Sequence, residues 1–242
     1  MSSMHELTPE LSASPTARIE CRYIGVEQYP LLIVDDFLNS PEWLVEQASQ
    51  ADFAPNQGLF PGHRAAAPSA YTDALERALP PLLADVFGTR PGDINRVESS
   101  FSLVTQAPES LKPLQRIPHF DSRNPRELAS IYFLCNRLDA RYGGTGFYRH
   151  RRTGFESVTD DRFNPYVAAL EQDAQQTGLP AADYIRSDTA AFEKIAEVSA
   201  RYNRLVIYPC TVLHSGIIDA SFDFSRTPAQ ARLSINSFLV NH

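Results

Sequence analysis

The stretch RLVIYPCTVLHSG, residues 204–216, decides how the chain is read. Its apolar, β-branched and aromatic start has strand character. The residues before it do not: from about 163 to 200 the character changes, and NPYVAALEQDAQQTGLP and SDTAAFEKIAEVSARY carry helical spacing with polar faces. The later ARLSINSFLV alternates again, so the chain leaves strand for helix and then returns. Upstream, GGTGFYRH (143–150) is a glycine turn feeding a strand, and LASIYFLCN (128–136) and VESSFSLVT (97–105) are strands. YPLLIVDDFL is a buried strand, and NSPEWLVEQASQ supplies Ser40 as a cap and Pro41 at the first helical position. A second helix runs from about Ala70 to Phe87, stops at Gly88, and is kinked or divided by Pro80 and Pro81. The order is helices, strands, a helical excursion, and strands. It specifies an α+β protein on an antiparallel sheet, closed as a jelly roll. We read residues 1–17 as a flexible tail and 18–242 as one domain with a helical insertion at about 151–200.

Composition narrows the function. With 242 residues, 43% of them hydrophobic, the chain can bury a large core. A formal charge of -7 argues against a nucleic-acid surface. Cys21, Cys135 and Cys210 form no Cys-x-x-Cys pattern, so neither a disulfide framework nor a thiolate zinc site is indicated. No apolar run is long enough to span a bilayer, and residues 1–17 lack a signal-peptide core, so we expect a soluble cytoplasmic protein.

In IPHFDSRN (117–124), His119 and Asp121 stand two apart, a spacing that turns both side chains to one face of an extended backbone. That is half of a metal site. Of the other histidines, His5 and His242 lie near the ends and His63 sits in the loop-like FPGHRAAA, which leaves His150 and His214. His214 ends an apolar strand and precedes Ser215-Gly216, so it is the better third ligand. Two imidazoles and a carboxylate suit iron(II) because they leave adjacent positions open, although zinc also accepts such a set. On ARLSINSFLV, Arg232, Ser234 and Asn236 share one strand face. An arginine turned into a sheet needs an anion, and its planar fork matches a carboxylate.

Taken in order, LLIVDDFLNSPEW, HFD, SIYFLCNRLDARYGGTGF, RLVIYPCTVLHSG and ARLSINSFL resemble the iron(II)/2-oxoglutarate-dependent oxygenases, especially the prolyl-hydroxylase-like branch. The resemblance covers roughly residues 30–240. It implies a double-stranded β-helix, with His119, Asp121 and His214 as iron ligands and Arg232 with Ser234 receiving the distal carboxylate of 2-oxoglutarate. The branch commonly adds a tyrosine hydroxyl from the strand matching SIYFLC. Tyr132 is the expected donor, but alternation sends it and Phe133 to opposite faces. The family's Gly-Gly-x-Thr-x-Phe is altered, since Thr145 follows the glycines directly.

The implied reaction uses 2-oxoglutarate and dioxygen, yields succinate, and hydroxylates a small-molecule, peptide or protein side-chain substrate. Asp121 favours hydroxylation over halogenation, because related halogenases replace that carboxylate. The rival readings are a non-catalytic jelly roll that retains a metal or carboxylate, and a zinc hydrolase. RHRR (149–152) could receive an acidic substrate group, and the 163–200 segment could serve as a lid, a specificity element or a homodimer surface.

Overall fold

The computed structural model describes residues 10–135, 143–224, 227 and 230–240. An eight-stranded sheet and a three-stranded sheet, antiparallel at every pairing, form its centre. The strands are β1 (Arg18–Ile24), β2 (Tyr29–Asp35), β3 (Ala54–Pro55), β4 (Gly62–Ala66), β5 (Arg96–Val104), β6 (Leu128–Phe133), β7 (Gly144–His150), β8 (Phe192–Ser199), β9 (Arg204–Pro209), β10 (His214–Ile217) and β11 (Leu233–Val240). The large sheet runs β1-β2-β9-β6-β11-β5-β4-β3 and the small one β10-β7-β8.

Alternation along the strands divides the interior into layers. Leu128, Tyr132, Leu205, Leu233 and Ile235 face a core shared with the helices α1 (Pro41–Gln50), α2 (Ser69–Ala78) and α3 (Pro80–Phe87). Ala129, Ile131, Phe133 and Val206 face the other way and meet Phe147 and Val198 of the small sheet. A third cluster, with Tyr148, Phe192 and Leu213, packs the small sheet against Tyr166 of α4 (Asp160–Thr177). The helix boundaries follow from their residues. Pro41 opens α1, although the Ser40 hydroxyl makes no capping bond. Pro80 opens α3, where its missing N–H costs nothing, so the prolines divide the expected helix. Gly88 ends α3 at φ +66°, a left-handed conformation natural to glycine.

Four expectations need correction. The 151–200 segment is not wholly helical, because FEKIAEVS forms β8 and pairs along β7. Phe192, Ile195 and Ala196 stand at helical spacing, but a register shift at Phe147/Tyr148 leaves Ile195 unpaired. This bulge sends Phe192 and Val198 to opposite faces of the strand and breaks the two-residue period in the sequence. The flexible tail does not extend to residue 17: Leu11 is buried, and the Ser14 N–H donates to the Phe37 carbonyl at 2.8 Å. Residues 1–9 lie outside the described residues. FPGHRAAA is not a loop throughout, since Gly62–Ala66 is β4. The strand expected over 128–136 ends at Phe133, and Asn136 lies outside the described residues. Among the described residues, no helix is long and apolar enough to cross a membrane, and no disulfide joins the cysteines.

Candidate metal centre and its cavity

The segment carrying His119 and Asp121 belongs to none of the eleven strands. Its anchors are a single antiparallel bridge between His119 and His214 and a bond from the Asp121 N–H to the Cys210 carbonyl at 2.8 Å. Phe120, between the two polar residues, points the opposite way. It packs edge-on against Phe163 and Tyr166 of α4, with ring centroids 6.3 Å away in each case. One apolar side chain therefore orients both polar neighbours. His214 begins β10 opposite Phe147 of β7. Between β7 and its neighbours the paired glycines are obligatory: a Cβ on Gly143 would stand 1.9 Å from the Ile217 carbonyl oxygen, and one on Gly144 2.1 Å from that of Val198.

His119, Asp121 and His214 each offer a ligand atom, all within 4.8 Å of one another. Asp121 Oδ2 lies 3.4 Å from His214 Nε2, and Oδ1 lies 3.8 Å from His119 Nε2. His214 Nδ1 is 2.9 Å from the Val212 carbonyl, which fixes the proton there and leaves Nε2 as a lone-pair donor. Burial holds the His214 imidazole down to about 4; His119 is also lowered, by burial first and by His214 second. Both rings are neutral near pH 7, as a metal ligand requires. Burial raises the Asp121 carboxyl, with His119 and Arg64 acting in the opposite sense. The donor set fits a divalent transition metal with open positions.

The three face a cavity of about 310 Å³, within the range of small-molecule sites. Arg232 and Ser234 line it, together with Thr145, Tyr208, Asn236 and Arg64. Arg232 is 4% exposed. Its Nη2 donates to the Gly144 carbonyl at 2.7 Å, and its guanidinium lies 5.5 Å from the Phe133 ring centroid. Ser234 donates to Asn236 Oδ1 at 2.9 Å. Thr145 Oγ1 is buried with no hydrogen-bond partner. Among the described lining residues Asp121 is the sole carboxylate.

Tyr132 is absent from this lining, which corrects its expected role. Ile131 and Phe133 take the inner face, so Tyr132 points into the helical core, stacks on Tyr71 at 5.5 Å, and donates to Asn203 Oδ1 at 2.6 Å. His150 is buried elsewhere, against Thr153 and Asp173. The arginines of RHRR are engaged internally: Arg149 with Glu156 and Glu193, Arg151 with Asp188, and Arg152 with Asp173. Arg226, the nearest alternative cation to Arg232 in the sequence, lies outside the described residues, as do His5 and His242. Sequence reasoning missed Thr145 and Arg64. Thr145 was signalled by its place two residues before the inward Phe147, whereas Pro61-Gly62 disguised the strand carrying Arg64.

Residues 15–239 match the model of a family described as "Family of unknown function (DUF6445)". The chain belongs to this family. No curated protein matches it. Among solved structures, HygX from Streptomyces hygroscopicus, with nickel and 2-oxoglutarate bound, is similar with a TM-score of 0.50 at 10% identity, covering 88% of this chain and 84% of HygX. A prolyl hydroxylase from Trichoplax adhaerens, in complex with a hypoxia inducible factor peptide fragment, also gives 0.50 at 10% identity, covering 87% and 83%. At such identity the likeness is one of fold. The DUF6445 chain thus shares the fold of 2-oxoglutarate oxygenases, including the prolyl-hydroxylase-like branch.

Proposed function

We propose that the chain is an iron(II)- and 2-oxoglutarate-dependent oxygenase of the hydroxylase type, its two sheets forming a double-stranded β-helix. One observation carries the reading: two neutral imidazoles and a carboxylate converge on a cavity that also holds a buried arginine. HygX, of the same fold, binds nickel and 2-oxoglutarate, which supports the same pair of ligands here. Iron(II), when bound, couples decarboxylation of 2-oxoglutarate to succinate with insertion of one dioxygen atom into a substrate C–H bond.

The remaining work falls to the side chains. His119, Asp121 and His214 hold the metal, and the Val212 carbonyl keeps the His214 proton on Nδ1. Arg232 receives the distal carboxylate of 2-oxoglutarate, with the hydroxyls of Ser234 and Thr145 beside it. Thr145 has a hydroxyl to give, since it lacks a partner. Apolar walls such as Ile131, Val104 and Phe238 limit water. The substrate is a small molecule or a peptide side chain. A hydrolase would need a second acid or base near the metal, and the described lining offers no other carboxylate.

Anaerobic addition of iron(II) and 2-oxoglutarate tests the reading. A visible charge-transfer band is expected from chelation of the keto acid. No band, together with tight zinc retention, would move the protein to the hydrolase or binding-protein class.

A further inference from the structure

The cavity holds a second arginine that the proposed chemistry does not use. Arg64 lies on β4, opposite Ser102 of β5, which in turn pairs with Ser234 of β11. Two strand spacings, roughly 10 Å, therefore separate Arg64 from the backbone beside Arg232. The two guanidiniums have different neighbours, Phe60 for Arg64 and Phe133 with the Gly144 carbonyl for Arg232. Arg64 stands by the rim segment Asn56–Pro61, with its guanidinium 4.8 Å from the Phe60 ring centroid. Stacking on a ring face leaves the N–H groups in the guanidinium plane free for a carboxylate. Among the described residues Arg64 makes no hydrogen bond or ion pair, and its Nε is fully buried. Leaving a half-buried cation in that state is costly.

Asp121 is the one acidic group that Arg64 faces across the cavity, and it interacts electrostatically with it. A metal would take up that charge. With iron(II), Asp121, doubly charged 2-oxoglutarate and Arg232 in place, the formal charges cancel and Arg64 remains as one uncompensated positive charge. We propose that Arg64 determines substrate specificity by receiving a carboxylate of the primary substrate, so that the oxygenase acts on a molecule carrying one such group near the oxidised carbon. This rests on the oxygenase reading for the metal and co-substrate, but the anion site itself does not.

The test uses the full chain, labelled with 15N-arginine and loaded with zinc and 2-oxoglutarate as a diamagnetic, inert complex. The Arg64 Nε–H resonance is assigned by its loss in both Arg64→Lys and Arg64→Gln. Acetate and butyrate should shift it to saturation and bind at least about tenfold more tightly than acetamide and butyramide. In Arg64→Gln, calorimetry should show that selectivity lost. Equal response to acids and amides would overturn the proposal, as would acetate affinity retained in Arg64→Gln, which places acetate on the metal. A resonance already moved to the carboxylate-bound position by 2-oxoglutarate alone assigns Arg64 to the co-substrate and overturns it too. Calorimetry of zinc and 2-oxoglutarate separates the two readings: failure of both to bind, with acetate still moving Arg64, removes the oxygenase and keeps the anion site.

Discussion

His119 and His214 are joined twice through their backbones: the His119 N–H donates to the His214 carbonyl at 2.9 Å, and the His214 N–H donates to the His119 carbonyl at 2.8 Å. Such a pair sets the two Cα atoms about 5.5 Å apart whatever their side chains are. The ligand geometry is thus a property of the main chain, and the imidazoles can be removed without taking away what positions them.

His119→Ala and His214→Ala should each abolish iron binding and turnover while the protein stays folded, since an open site is not a structural staple. Metal analysis and circular dichroism of the purified variants check this. Full metal occupancy in His214→Ala would remove that residue from the ligand set.

Arg232→Ala should weaken 2-oxoglutarate binding by roughly thirty- to several-thousand-fold, from about 2–5 kcal/mol for truncating one partner of a buried charge pair. Arg232→Lys should fall between, because it keeps the charge and loses the fork. Calorimetric titration of the metal-loaded protein decides it, and unchanged affinity would require another cation.

Thr145→Val separates a ligand-binding hydroxyl from a structural one. Its Oγ1 is buried and unpartnered, so the variant should gain about 1 kcal/mol of ligand-free stability and lose about tenfold in 2-oxoglutarate affinity. A loss of stability instead would mean that the hydroxyl already serves the fold.

Tyr132→Phe gives the opposite pattern. It breaks the bond to Asn203 in the helical core, so stability should drop by about 1 kcal/mol while 2-oxoglutarate binds as before. Weaker co-substrate binding in this variant would return Tyr132 to the site.

The metal-free protein should lose stability in acid through His214. Its folded pKa of about 4 lies below the ordinary 6.5, so between these values the unfolded chain binds a proton that the folded chain does not. Stability from this source is complete above pH 6.5 and falls as the pH drops towards 4, by about 3 kcal/mol for so buried a ring. Asp121 works in the opposite sense, because its raised pKa favours the folded state at low pH. Urea midpoints at pH 7 and 4.5 should therefore differ less in His214→Asn than in the wild type. Equal differences would show that His214 is not the group responsible.

Local rules account for part of this site. The two-residue period puts His119 beside Asp121 and Arg232 beside Ser234 on any extended backbone, and proline and glycine mark the ends of α3 wherever it packs. Those features were legible because they depend on neighbours in sequence. Alternation, however, assigns residues to two faces without saying which is inside. Tyr132 and Phe133 were distinguished only when α1–α3 covered one face of the large sheet and the small sheet covered the other. Likewise, FEKIAEVS became a strand because β7 offered its backbone edge and a bulge absorbed Ile195. His214 was chosen over His150 by its bridge to His119, and Arg64 reached the cavity by pairing with β5. Each of these outcomes depends on hydrogen bonds or burial between segments distant in sequence, which only the folded chain brings together.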